Sequence, residues 1–127
     1  MKIQYLVVAM TLSLTSFSSI AGEKLTGDQI KSLFSDKTYD IEKVDVDKNK
    51  QLSAFTSSDG KRVVYVPWKD KYSKRRWWVE GNEICSSHPK RDDYCREIED
   101  VGNGVYYSLE KGKHRSTVSN FIDGNQL

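Results

Sequence analysis

Ser57-Ser58-Asp59-Gly60-Lys61-Arg62-Val63-Val64-Tyr65-Val66-Pro67 is the stretch that decides the class of this fold. Asp59-Gly60 is the strongest local hairpin signal, because both residues tolerate the positive φ that tight antiparallel turns require. Lys61–Val66 is rich in β-branched residues and reads as a strand, which Pro67 stops or pushes to a sheet edge. Gln51–Phe55 precedes the turn as a second strand. Earlier still, Tyr39 and Ile41 alternate with polar residues, the period-two signature of a half-buried strand. Downstream, Arg75–Val79, Glu83–Cys85, Tyr94–Ile98, Val105–Leu109 and Arg115–Phe121 complete the set. Their connections, Gly81-Asn82, Gly102-Asn103-Gly104 and Gly112, also tolerate positive φ. Seven to eight short strands at this spacing predict a mainly β fold, a small antiparallel barrel or a sandwich. The barrel is preferred, because closure removes sheet edges and one helix can plug an open end.

That helix is written in Leu25-Thr26-Gly27-Asp28-Gln29-Ile30. Thr26 as N-cap and Gln29 three residues on form a capping box, and Leu25 with Ile30 forms a hydrophobic staple. Asp28 in the first turn suits the helix dipole. Ile30, Leu33 and Phe34 make one apolar face, and the helix is expected to end near Ser35-Asp36.

Residues 1–21 read as a secretory signal peptide: Met1-Lys2, an apolar run from Tyr5 to Ile20, and Ser19 and Ala21 at the −3 and −1 positions of a cleavage site. The run is short for a membrane span and contains many Ser and Thr. The expectation is therefore a periplasmic or secreted chain with one domain, 22–127, and no transmembrane segment after cleavage. Removing Lys2 leaves 19 basic against 18 acidic side chains, so no global field invites nucleic acid or a membrane surface. No repeat or linker divides the chain, and a monomer is expected.

Trp77-Trp78-Val79-Glu80-Gly81-Asn82-Glu83-Ile84-Cys85 resembles the W-x-V-x-G-[DN]-x-[LI]-C hairpin of small secreted bacterial proteins with a lipocalin-like barrel. In that largely uncharacterised family a second cysteine follows, which here is Cys95. Leu25–Ile30 is similar to the family's L-[ST]-G-x-E-I start, Phe55–Gly60 to its F-x-x-D-G turn and Gly124-Asn125 to its closing G-N-P. The chain departs from the pattern at Arg75, where a glycine is usual, and at Gln126, where the proline stands. The resemblance implies a fold, an export address and a disulfide. It transfers no catalytic residue.

Few residues point to chemistry. Cys85 and Cys95, the only cysteines of an exported chain, are expected to pair, and closing so short a loop stabilises by about 2–3 kcal/mol. The alternative is zinc: Cys85-Ser86-Ser87-His88 has ligand-like spacing, with Cys95 near and Asp92 or Asp93 as a fourth ligand. Asp45-Val46-Asp47-Lys48-Asn49 brushes against a calcium loop, but Lys50 stands at its glycine and Thr56 at its bidentate glutamate, so a polar turn is the reading and no metal or cofactor is expected. His88 and His114 read as surface residues, no serine sits in a nucleophile elbow, and Glu97 with Glu99 reads as a solvated strand face. Acid, base and nucleophile do not converge, and an enzyme is the weakest reading.

The leading expectation is an exported, non-enzymatic binding or interaction protein of the bacterial envelope. Its candidate contact surface is Trp68, Lys69, Lys71, Tyr72, Lys74, Arg75, Arg76 and Trp78, placed in a basic loop that runs into a strand. Aromatics interleaved with cations suit an anionic glycan, a lipid head group or an acidic protein face, and export argues against nucleic acid. The first rival is a lipocalin-like carrier with a small apolar ligand inside the barrel, since an eight-stranded interior either fills with side chains or holds one ligand. The expected core (Tyr39, Ile41, Phe55, Tyr65, Trp77, Val79, Tyr107, Phe121) is bulky and favours a filled interior; an open cavity reverses that order.

Overall fold

Alternating apolar residues and glycine-bearing turns produce nine strands and one helix in the computed structural model, which describes residues 22–44 and 50–127. The expected signal peptide lies outside those residues, as do Asp45, Asp47 and Asn49 of the calcium-loop comparison. In chain order the elements are β1 (Glu23–Lys24), α1 (Gly27–Phe34), β2 (Lys37–Lys43), β3 (Gln51–Thr56), β4 (Lys61–Val66), β5 (Lys71–Glu80), β6 (Glu83–Ser86), β7 (Tyr94–Gly102), β8 (Val105–Glu110) and β9 (Lys113–Asp123). From β2 to β9 each strand pairs antiparallel with the next, and β9 returns to β2. The result is a closed eight-stranded up-and-down barrel, with β1 added along the far end of β7 through Glu23↔Asp100 and Lys24↔Glu99.

The hairpin at Asp59-Gly60 forms as its sequence dictates. Ser57 N–H donates to the Lys61 carbonyl, Gly60 N–H to the Ser57 carbonyl, and Gly60 takes φ +92°. Thr26 caps α1: its hydroxyl accepts from Gln29 N–H at 3.3 Å while Gln29 Oε1 accepts from Thr26 N–H at 2.8 Å. The helix ends at Phe34, with Ser35 as C-cap. Gly27 is required where the helix meets the β5–β6 turn, since a Cβ there would fall on the Gly81 carbonyl oxygen. Asn82 Oδ1 accepts from Gly27 N–H and fixes that approach.

The helix closes one end of the barrel. Ile30 and Phe34 are buried, and the Phe34 ring meets Tyr39 and Phe121 edge-on at 5.1 and 5.3 Å. Tyr39 and Phe121 stack, and Trp77 and Tyr106 extend the aromatic floor.

Strand parity corrects the expected core. Tyr39, Ile41 and Trp77 are buried, and Val79 and Phe121 pack against them. Phe55, Tyr65 and Tyr107 face outward. On β3 the inward residues are Leu52, Ala54 and Thr56, all buried; on β4 Val64, paired with Ala54, turns inward with Arg62. Tyr65 instead stacks on Tyr72 at 4.8 Å, and Tyr107 on His114 at 3.8 Å. Side-chain size suggested these aromatics as core, but the pleat offers only every second residue to the interior. With Ala, Thr and Val in their place, the interior does not fill.

Candidate functional site

The open volume is a cavity of about 860 Å³ inside the barrel. Phe34 belongs to its floor, and the β6–β7 loop residues His88, Arg91, Asp92 and Asp93 reach its other end. Ile41 of β2, Leu52 of β3, Val64 of β4 and Val118 of β9 make a continuous apolar wall, because those four strands are neighbours. Opposite it, the inward positions of β5 to β8 bring Arg75, Ser86, Tyr94, Arg96, Ser108 and Glu110.

Arg62 joins the two sides. It stands on β4, and its Nη1 donates to Ser86 Oγ and to Tyr94 Oη, both at 2.9 Å. Arg75 Nη1 approaches the same phenol oxygen at 3.5 Å, and the Arg96 guanidinium lies 4.7 Å from the Tyr94 ring centre. Around the whole cavity six Lys or Arg side chains stand against three carboxylates. One of those carboxylates, Glu110, is engaged by Arg115 at 3.4 Å. Among the described residues no carboxylate forms an ion pair with Arg62, Arg75 or Arg96.

The electrostatics follow from that imbalance. Lys43, Arg75, Arg96 and His88 are all pushed below their ordinary pKa values, first by burial and then by neighbouring cations; Tyr94 pulls Lys43, Arg75 and Arg96 the other way. Burial also opposes the charge on Arg62, but the facing Tyr39 and Tyr94 outweigh it and its pKa rises. Burial would raise the Tyr94 phenol; the Arg62 charge and its hydrogen bond, the neighbouring Ser86 hydroxyl and the Arg75 charge prevail and bring it down to about 7. The cations around Tyr94 thus favour its phenolate form. Tyr39 Oη, Arg62 Nε and Arg96 Nε are buried without a hydrogen-bond partner among the described residues. Buried polar groups are normally satisfied, so these three atoms are exceptions in the wall of the cavity.

The expected contact surface divides. The basic loop is mostly strand: after a 3-10 turn at Pro67–Lys69 and the left-handed Asp70, the chain from Lys71 to Arg76 pairs along β4. Alternation therefore splits the candidates. Tyr72, Lys74, Arg76 and Trp78 share the outer face, whereas Arg75 turns inward and lines the cavity, which removes it from the surface patch. Arg76 sits 5.7 Å from the Trp78 ring, and Lys50 sits 5.8 Å from that of Trp68. Trp68 and Tyr72 are the large exposed aromatics of this region.

Cys85 and Cys95 are disulfide-bonded and directly opposite each other on β6 and β7, in one row with Trp78. Neither sulfur is a thiolate, so the zinc alternative loses the two ligands on which its spacing depended.

Arg62, Tyr94 and Arg96 were missed by the sequence reading. Their parity was legible, Arg62 with Val64 and Tyr94 and Arg96 with Ile98, but Val63 is β-branched on the opposite face of β4, so the sequence does not mark which parity turns inward. No protein-family model matches the chain, and neither a curated protein nor a solved structure does.

Proposed function

We propose that the protein is an exported, non-enzymatic binding protein of the bacterial envelope that holds a small ligand in its barrel, as a lipocalin-like carrier. The cavity of about 860 Å³ with an apolar wall carries this reading; small-molecule sites commonly span about 300–1,000 Å³ and combine apolar lining with a few converging polar groups. The Cys85–Cys95 disulfide supports an oxidising compartment, and no helix among the described residues is long and apolar enough to cross a membrane.

The test is titration of the oxidised protein with a neutral, environment-sensitive apolar dye such as N-phenyl-1-naphthylamine. Saturable fluorescence enhancement is expected, lost when Val64→Trp or Leu52→Trp fills the apolar wall and retained when Trp78→Ala alters the outside. A dye signal that survives both filling substitutions would remove the interior site.

A second reading keeps the outer face as a contact surface for an anionic glycan, lipid head group or acidic protein face. It is favoured by Trp68 at 45% and Tyr72 at 56% exposure beside Lys69, Lys71, Lys74 and Arg76. Reversing Lys74 and Arg76 to Glu is expected to abolish such binding, and salt to weaken it, because exposed charges are screened over about 8 Å at physiological ionic strength.

A further inference from the structure

Resting on the interior-site reading, we infer that the ligand is an anionic amphiphile, whose oxyanion head group lies beside the Tyr94 hydroxyl among Arg62, Arg75 and Arg96 while its apolar body lies against Ile41, Leu52, Val64 and Val118. The arrangement supports it in three ways. Arg62, Arg75 and Arg96 converge from β4, β5 and β7 on one phenol oxygen or ring, with distances of 2.9, 3.5 and 4.7 Å. A guanidinium is suited to this task, because its planar fork of donors matches an oxyanion and stays charged when buried. Second, among the described residues no carboxylate forms an ion pair with Arg62, Arg75 or Arg96. A neutral apolar ligand would leave these cations in mutual repulsion, whereas a carboxylate, sulfate or phosphate accepts from guanidinium N–H groups and offsets the charge. Third, the apolar wall is contiguous and too large to be matched by a bare inorganic anion, which would leave it facing water.

Tyr94 gives the site a second property. Its phenol is held by Arg62 of β4, Arg75 of β5, Ser86 of β6 and Arg96 of its own strand, with Lys43 of β2 contributing a further positive field. A ligand oxyanion entering this group competes with the phenolate and favours the protonated phenol, which can then donate to the head group. Binding therefore takes up a proton, and the affinity for an anionic head falls as pH rises through about 7. His88, the other group near this range, is already shifted toward its neutral form below its usual pKa and adds little above neutrality.

Displacement of N-phenyl-1-naphthylamine from the oxidised protein tests the inference with four chain-matched probes: dodecanoate, dodecyl phosphate, dodecanol and dodecyltrimethylammonium. The two anions are expected to bind at least about tenfold more tightly than dodecanol at pH 6.5, the cation not at all, and Arg75→Gln or Arg96→Gln to remove that preference. Tyr94→Phe is expected to abolish the loss of dodecanoate affinity between pH 6.5 and 8.5. Dodecanol binding as tightly as dodecanoate overturns the anionic head group and leaves the interior-binding reading standing. Acetate or inorganic phosphate competing as well as the long-chain anions overturns the amphiphile. Failure of the dye itself to bind overturns the underlying reading instead.

Discussion

Trp77 and Trp78 are adjacent in sequence and opposite in environment, and replacing each with alanine measures the barrel's inward and outward faces. Trp77 is 5% exposed; its ring leans on Phe34, and its Nε1 donates to the Ser57 carbonyl at 2.7 Å. Emptying a large buried aromatic site costs about 3–5 kcal/mol, set by how far the surroundings collapse. The lost hydrogen bond adds only a small part, because Ser57 still accepts from Gly60 N–H. A total near 4 kcal/mol corresponds to a fall in melting temperature of roughly 15–30 °C for a domain of this size. Trp78 is partly exposed, with Glu80 accepting from its Nε1 at 3.3 Å and Arg76 beside its ring. Trp78→Ala is expected to cost within about 1 kcal/mol. Thermal unfolding followed by far-ultraviolet circular dichroism, with the disulfide intact, gives both values. Equal losses from the two substitutions would refute the parity on which the cavity and the outer stripe both depend.

Tyr94 should titrate as a tyrosinate near pH 7 in the near-ultraviolet spectrum of the folded protein, and Tyr94→Phe should remove that step. Its folded pKa lies below the usual tyrosine value of about 10, so its contribution to stability is complete above the unfolded pKa and is lost as pH falls toward 7. Wild type should gain on Tyr94→Phe by at most roughly 1.4 kcal/mol per pH unit across that window; a flat difference between pH 7.5 and 9.5 would contradict it. Reducing Cys85–Cys95 should leave the barrel assembled but lower its unfolding free energy by about 2–3 kcal/mol in denaturant titration. Free thiols that react with an alkylating agent before any reductant is added would contradict the pairing. Gly27→Ala places a Cβ against the Gly81 carbonyl and should destabilise by about 1–3 kcal/mol, whereas Gly112→Ala, where a Cβ has open space, should lose only the strain of its positive φ. Urea midpoints compare the two, and an unchanged midpoint for Gly27→Ala would dissolve the proposed helix–turn contact.

Local chemistry determined a large part of this protein. The capping box of Thr26 and Gln29, the Asp59-Gly60 turn and the cysteine pair stand in the structure where the sequence puts them, as do the centres of the strands, whereas β5 begins at Lys71 inside the expected basic loop. The choice of barrel over sandwich already depended on more, since only the pairing of β9 with β2 closes the sheet. What lay beyond the sequence was the content of the interior. Whether Phe55 and Tyr65 or Ala54, Val64 and Arg62 face inward is decided by register against neighbouring strands, and a shift of one residue exchanges the two faces. The cationic cluster is less local still: Lys43, Arg62, Arg75, Tyr94 and Arg96 come from four strands spread over about half the described chain, and nothing in the spacing of their positions announces that they meet. Their charges also change meaning with closure. On an open sheet an alternating arginine is a solvated edge residue, whereas inside a closed barrel it is desolvated and crowded by like charge. That difference in environment, and no feature of the residue itself, gives the interior of this barrel its cationic character.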